Sequence, residues 1–246
     1  MIKTIVTGAK GRMGSFIVSL IGNDPSFELT AGIDIEDNLA DFIENCDVVI
    51  DFSAPSSSAE NAILCARNKK PIIIGTTGLS NAEEGAIKGA SKDVAIVYSP
   101  NMSIGVNVML RLIRIATQTL GENYDINIVE SHHLMKKDRP SGTANKMAQV
   151  ILEGLGGNKE VSHYEEAMAK RKVDDHSIRI CSIREDEVVG DHEIEYRGTG
   201  ESIKISHHAS TRKIFAEGAV RAASWIIDRP AGLYTMEDVL FLKTCA

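Results

Sequence analysis

Apolar positions in the first hundred residues fall into short aliphatic runs separated by stretches with helical spacing. The runs at 2–7, 29–33, 48–52, 71–74 and 94–97 are bounded by Gly, Pro, Asp or Ser and predict buried strands. Between them, 12–21, 57–68 and 81–91 place apolar residues at the three-to-four spacing of helices. Strands alternating with helices predict a parallel sheet covered by helices, a Rossmann-type α/β arrangement.

The rhythm changes after residue 101. Residues 106–120 predict a strong amphipathic helix, with Val108, Leu112, Ile115 and Thr119 at helical spacing. A strand at 126–129 runs into a motif-rich segment, 130–143, and a second helix follows at about 144–155. Residues 176–183, 192–197 and 202–208 then predict strands without intervening helices, the mark of a mixed or antiparallel sheet. Helical spacing returns at 214–227, with a last short helix at 236–242. The expected organisation is one discontinuous domain, 1–103 with 212–246, into which an α+β domain at 104–211 is inserted. Repeats, low-complexity tracts and long linkers are lacking.

Composition narrows the class without changing this picture. A chain of 246 residues has room for two modest domains, and 43% hydrophobic with 25% charged residues is ordinary for a soluble globular protein. The net charge of −7 argues against non-specific binding to nucleic acid or an anionic membrane, since both need a cationic face. Cys46, Cys65, Cys181 and Cys245 form no CxxC pair, so neither a disulfide framework nor a zinc site is expected, and no other metal site stands out. The first strand begins at residue 2, leaving no room for a signal peptide, and no apolar run approaches the roughly 20 residues of a membrane span. A cytoplasmic protein is expected.

Gly8, Gly11 and Gly14 leave the first predicted strand and open the first predicted helix, the context in which a Gly-rich loop holds a pyrophosphate. Their G-x-x-G-x-x-G spacing, taken alone, also fits a plain strand–helix turn. Asp34 closes the second strand 20 residues beyond Gly14, where a carboxylate meets an adenine ribose hydroxyl. Strand, loop, helix, strand and acid together predict dinucleotide binding. Gly75–Gly78 and Ser99–Met102 follow later strands on the same edge, although each also reads as a turn of small residues.

Segment 130–144, ESHHLMKKDRPSGTA, places two histidines at a strand end and sets Lys136, Lys137 and Arg139 against Asp138. Pro140 then leads into Ser141, Gly142 and Thr143 at a helix start, whose N–H groups form an anion seat. A small dianion would fit there. By itself the segment equally fits a solvated turn with a solvated basic face.

The run H-H-x-x-K-x-D-x-P-S-G-T-A resembles the signature of the dihydrodipicolinate reductase family. The resemblance is nearly end to end: GxxGRMG at 8–14, SIGVNV at 103–108, VGDH at 189–192, SHHASTR at 206–212, EGAVRAA at 217–223 and GLY at 232–234. It implies NAD(P)H-dependent reduction of 4-hydroxy-tetrahydrodipicolinate on the way to diaminopimelate and lysine. It also implies His132 as acid/base, Lys136 as proton donor, and His133, Gly142 and Thr143 on the dicarboxylate. The dinucleotide would be lined by Gly8, Ala9, Lys10, Gly11, Arg12, Met13, Asp34, Gly75, Thr76, Thr77, Ser99, Pro100, Asn101 and Met102. A homotetramer joined through the inserted sheets is implied as well, with domain closure hinged near 101–105 and 209–213. Three departures stand out: Lys10 where many members have Gly, Arg139 where a small residue is usual, and Ile35 where some have Arg. Asp34 should repel a 2′-phosphate and so favour NADH modestly, with NADPH still usable.

Two rival readings use the same first domain. An NAD-dependent amino-acid dehydrogenase, such as an aspartate dehydrogenase, leaves the 130–144 run unexplained. A non-catalytic dinucleotide sensor predicts loss of His132 or Lys136, or an added DNA-binding element, and the sequence has neither.

Overall fold

The computed structural model describes residues 1–157, 159–165, 177–185 and 187–241. Cys245, residue 176 of one predicted strand and residue 242 of the last predicted helix lie outside the described residues. Two compact units emerge, Met1–Ile104 with Lys213–Ala246, and Gly105–Arg212.

The first unit begins β1 (Ile2–Thr7), α1 (Arg12–Asn23), β2 (Phe27–Ile33), β3 (Val48–Asp51), α2 (Pro55–Arg67), β4 (Ile72–Ile74), α3 (Asn81–Ala90) and β5 (Ala95–Tyr98). The second unit holds most of α4 (Ile104–Leu120), then β6 (Asp125–His132), α5 (Gly142–Gly154), β7 (Val161–Glu165), β8 (Ile178–Arg184), β9 (Gly190–Arg197) and β10 (Ser202–Ala209). The chain then returns to the first unit as α6 (Lys213–Ile226), β11 (Gly232–Tyr234) and α7 (Met236–Val239).

In the first unit the sheet order is β11-β5-β4-β3-β1-β2, and every pairing is parallel. Its inner strands read as unbroken aliphatics because both faces are covered. Val6, Val48, Ile50 and Ile73 pack with α1 and α6 on one side, while Ile5, Val49, Ile72 and Ile74 pack with α2 and α3 on the other. α3 starts where Ser80 and Glu83 form a capping box.

In the second unit the order is β10-β9-β6-β8-β7, mixed in direction. β6 alternates without a break, burying Ile126, Ile128, Glu130 and His132. It runs three residues past the predicted end at 129. β7 and β11 have no counterpart among the predicted strands; at three residues β11 is too short to show a period.

One predicted face is corrected. α4 buries Val106, Met109, Leu110, Ile113 and Thr117, whereas Val108, Leu112 and Ile115 are 38–46% exposed and Thr119 is also exposed. The helix carries two apolar stripes, and packing selects the one that meets Tyr196, whose hydroxyl lies 2.7 Å from Thr117 Oγ1. No described helix is long and apolar enough to cross a membrane.

Candidate active site

The first unit builds its candidate site where the sheet changes its direction of growth, between β1 and β3. Gly8 leaves β1 at φ +72°, and a Cβ there would stand 2.3 Å from the Phe52 carbonyl oxygen, so only glycine lets the loop cross the end of β3. Gly14 lets α1 press onto that loop, because its Cβ would lie 2.0 Å from the Gly8 carbonyl oxygen. Gly11 caps α1 without a side chain, and the first turn holds no acid. The α1 N-terminus therefore offers N–H groups and a positive dipole end to an anion.

Lys10, Gly11 and Arg12 are exposed, and Ala9 and Met13 half-buried. Asp34 sits at the end of β2, where Oδ2 accepts the Lys10 N–H at 2.9 Å and Oδ1 the Ile35 N–H at 3.0 Å. The Lys10 bond, with that from Ile35, holds its carboxyl below the ordinary carboxylate range. After β4, Gly75 and Thr76 are buried and Thr77 is exposed; the Thr76 hydroxyl is buried with no partner, a polar atom facing an unfilled role. Ser99 is buried, its hydroxyl donating to the Asn101 carbonyl at 2.8 Å, while Pro100 is exposed. Met102 is 1% exposed and packs within the hydrophobic core. A pyrophosphate-sized anion and a ribose fit this cradle: a bare helix N-terminus, a fixed carboxylate and an orphan hydroxyl.

In the second unit His132 ends β6 with its side chain 10% exposed. Its Nδ1 bonds Oε2 of Glu130, two residues earlier on the same buried face. Arg184 on β8 donates to the other oxygen of Glu130 at 2.9 Å. Burial pushes the Glu130 carboxyl up, but hydrogen bonds from His132, Ser182 and Arg184 outweigh it and bring its pKa to about 2. The His192 ring stands edge-on to His132 with centroids 5.1 Å apart, and its Nε2 lies 3.0 Å from Ser141 Oγ. On the Nε2 side of His132 the neighbour is Gly190, where a Cβ would come within 3.0 Å. A larger residue would crowd that nitrogen.

The basic loop follows directly. Lys136 Nζ pairs with Asp138 at 2.8 Å, its side chain 23% exposed. Arg184 also donates to the carbonyls of Lys136 and Asp138, at 3.3 and 2.6 Å. His133 Nε2 lies 3.2 Å from Arg212 Nη2. A guanidinium only donates, so this nitrogen accepts. Ser141 caps α5 by accepting the Ala144 N–H at 3.2 Å; Gly142 is exposed and Thr143 half-buried in a first turn without acids. His132, His133, Lys136, Gly142 and Thr143 thus belong to one loop and the two elements it joins.

Four participants had no role assigned from the sequence: Glu130, Arg184, His192 and Gly190. One trace of Glu130 was available, because a charged residue in the buried phase of a period-two strand demands a partner. Arg184 and His192 left no such trace. Ligand atoms of Glu130, His132 and His192 lie within 4.8 Å of one another, as a metal trio would. Here both Glu130 oxygens already hold donors and Arg184 supplies the positive charge, so the cluster is a hydrogen-bonded charge network.

A profile of the dihydrodipicolinate reductase N-terminus matches residues 2–102, and one of its C-terminus matches 105–240. This chain belongs to the dihydrodipicolinate reductase family. The family consists of NAD(P)H-dependent oxidoreductases. Similar members include the 4-hydroxy-tetrahydrodipicolinate reductases of Geotalea uraniireducens, 38% identical, and Syntrophus aciditrophicus, 39% identical. Each alignment covers 99% of this chain and all of the relative. Among solved structures, dipicolinate-bound dihydrodipicolinate reductase from Paenisporosarcina sp. TG-14 superposes with a TM-score of 0.81 at 26% identity. That match covers 96% of this chain and 97% of the other.

Proposed function

We propose that this chain reduces 4-hydroxy-tetrahydrodipicolinate to tetrahydrodipicolinate, the ring hydroxyl leaving as water (the dehydrated ring being dihydrodipicolinate), with His132 and Lys136 handling protons. The observation that carries this reading is the continuity of β6, the basic loop and the α5 N-terminus. They put an imidazole, an ammonium and a helix N-terminus on one stretch of chain. A planar dicarboxylate needs such a set, and the Paenisporosarcina relative is named as binding dipicolinate.

A bound nicotinamide supplies the hydride. The Gly8–Met13 loop, Asp34, Gly75–Thr77 and Ser99–Met102 hold and orient the dinucleotide. Gly142, Thr143 and His133 grip the substrate carboxylates, using N–H groups, a hydroxyl and a ring nitrogen. Lys136 delivers the proton needed beside the carbon that is reduced, and His132 assists that transfer through Nε2. The cations of the loop also stabilise negative charge that develops on the ring.

Asp34 makes NADH the modestly preferred cofactor, with NADPH usable. We place the protein in the cytoplasm, in keeping with buried free thiols at Cys46, Cys65 and Cys181. A homotetramer joined through the second unit's sheet is supported by the openness of β10, exposed at Ser202, Ile203, Lys204, Ser206 and His208. Mass photometry of the pure protein tests the tetramer.

The reaction is tested by following NADH and NADPH oxidation with chemically generated substrate. Rapid turnover is expected with both cofactors. No oxidation with this substrate, but oxidation with a keto acid and ammonia, would instead establish an amino-acid dehydrogenase.

A further inference from the structure

The buried acid behind His132 has no place in the reading above, yet it is wholly enclosed. Glu130 is a fully buried carboxylate, and its salt-bridge partner Arg184 has a side chain only 2% exposed. Burying such a pair costs desolvation that a pair of apolar side chains would avoid. The register of the sheet sets what surrounds it. Parallel pairing of β6 with β8 places Glu130 opposite Ser182 and His132 opposite Arg184, and antiparallel pairing with β9 places Glu130 opposite His192.

Each Glu130 oxygen has a separate task. Oε1 takes the Arg184 guanidinium, and Oε2 takes His132 Nδ1. An ionised carboxylate only accepts, so Nδ1 of His132 must carry hydrogen. That leaves Nε2 as the nitrogen free to exchange a proton, and it lies on the side kept open by Gly190. Arg184 keeps the carboxylate anionic and fixed in position. Its remaining bonds, to the carbonyls of Lys136 and Asp138, tie the same anchor to the loop that carries Lys136.

We propose that Glu130, gripped by Arg184, is a positioning residue that fixes the tautomer and orientation of His132 so that Nε2 is its proton-transferring atom. The inference rests on His132 acting in the reaction. Glu130 itself touches no substrate and stays ionised throughout. When His132 gives up the Nε2 proton it becomes the neutral Nδ1–H imidazole, the form that Glu130 stabilises. Loss of the carboxylate lets the ring adopt the other tautomer or turn, as with other carboxylate–histidine pairs.

The experiment compares Glu130→Gln, His132→Gln and the double variant in steady-state assays of the full-length protein. Glu130→Gln is expected to lower kcat about 10- to 10³-fold while KM for substrate and cofactor stays within about threefold. The double variant should be no slower than His132→Gln alone, because a positioning residue has nothing left to position. If the two losses instead multiply, Glu130 acts independently of His132 and the proposal falls. If His132→Gln turns over like wild type, the role of His132 fails first, a result distinct from a silent Glu130→Gln beside a crippled His132→Gln. Should Glu130→Gln not fold because Arg184 loses its counter-charge, nitrogen NMR of histidine-labelled wild-type protein decides. The neutral His132 ring is expected protonated at Nδ1 and bare at Nε2, and the opposite tautomer overturns the proposal.

Discussion

Lys136 Nζ lies 2.8 Å from the carboxylate of Asp138, two residues further along the same loop. Burial raises the Asp138 carboxyl, but the Lys136 hydrogen bond and charge prevail and hold it below its ordinary range. The ammonium is therefore oriented before any substrate arrives. Lys136→Ala should reduce kcat by a factor on the order of 10² to 10⁴, the usual loss for an acid/base group. Fluorescence titration should show NADH affinity little changed, since the dinucleotide loop belongs to the other unit. Turnover near wild type would remove Lys136 from the mechanism.

Thr143 stands in the first turn of α5, a turn whose cap is Ser141 and which contains no acid. Thr143→Val removes a hydroxyl of nearly equal volume and should raise KM for the dicarboxylate roughly tenfold, as expected for a lost hydrogen bond to a charged group. The melting temperature should hold. A crystal with a planar dicarboxylate seated away from residues 141–143 would contradict this seat.

Asp34 is fixed by two backbone N–H bonds, whereas Lys10 and Arg12 carry long, exposed side chains. A fixed carboxylate should repel a 2′-phosphate more than mobile cations attract it, so kcat/KM at low salt should favour NADH modestly. Asp34→Ala should erase that preference. A clear NADPH preference in the wild type, little altered by the variant, would show that Lys10 and Arg12 dominate.

His192 gives the fold a pH dependence. Burial, with the charge of His132 next, pushes its pKa down to about 3 from an ordinary 6.5. Glu130 opposes this shift, while His207 and Lys136 add to it. The folded state thus refuses a proton that the unfolded chain accepts below about pH 6.5. Its contribution is complete above that pH and declines as pH falls toward 3. The urea midpoint should therefore drop between pH 6.5 and 5, and less steeply in His192→Gln. His207, also lowered by burial, leaves a residual slope. Glu130 adds nothing in this window, because its proton matters only below its ordinary value near 4.5. An unchanged slope in the variant would exclude His192 as the cause.

Much of this molecule is legible along the chain because local rules decide it. Aliphatic runs buried on both faces announced β1, β3, β4 and β5, while edge strand β2 is buried only at its ends. The glycines at 8, 11 and 14 announced the loop between β1 and α1. Asp34 was visible because a strand end and a fixed spacing place it. The motif from His132 to Thr143 was legible as a cationic loop entering a helix, all within one turn-rich stretch.

The rest depended on partners distant in sequence. Both stripes of α4 are apolar, and nothing within the helix says that Met109 and Ile113 go inward while Leu112 and Ile115 stay out. Tyr196, which makes that choice, enters from β9. Arg184 follows Glu130 by 54 residues and meets it only because β8 pairs beside β6 in one particular register. A strand's period shows which side chains share a face, but the neighbouring strand and its register come from packing of the whole sheet. The sequence by itself therefore determined most of the elements, the Gly-rich loop after β1 and the cationic segment that enters α5. The tertiary structure alone decided which cation grips the carboxylate beside His132, because the Arg184–Glu130 contact forms across strands.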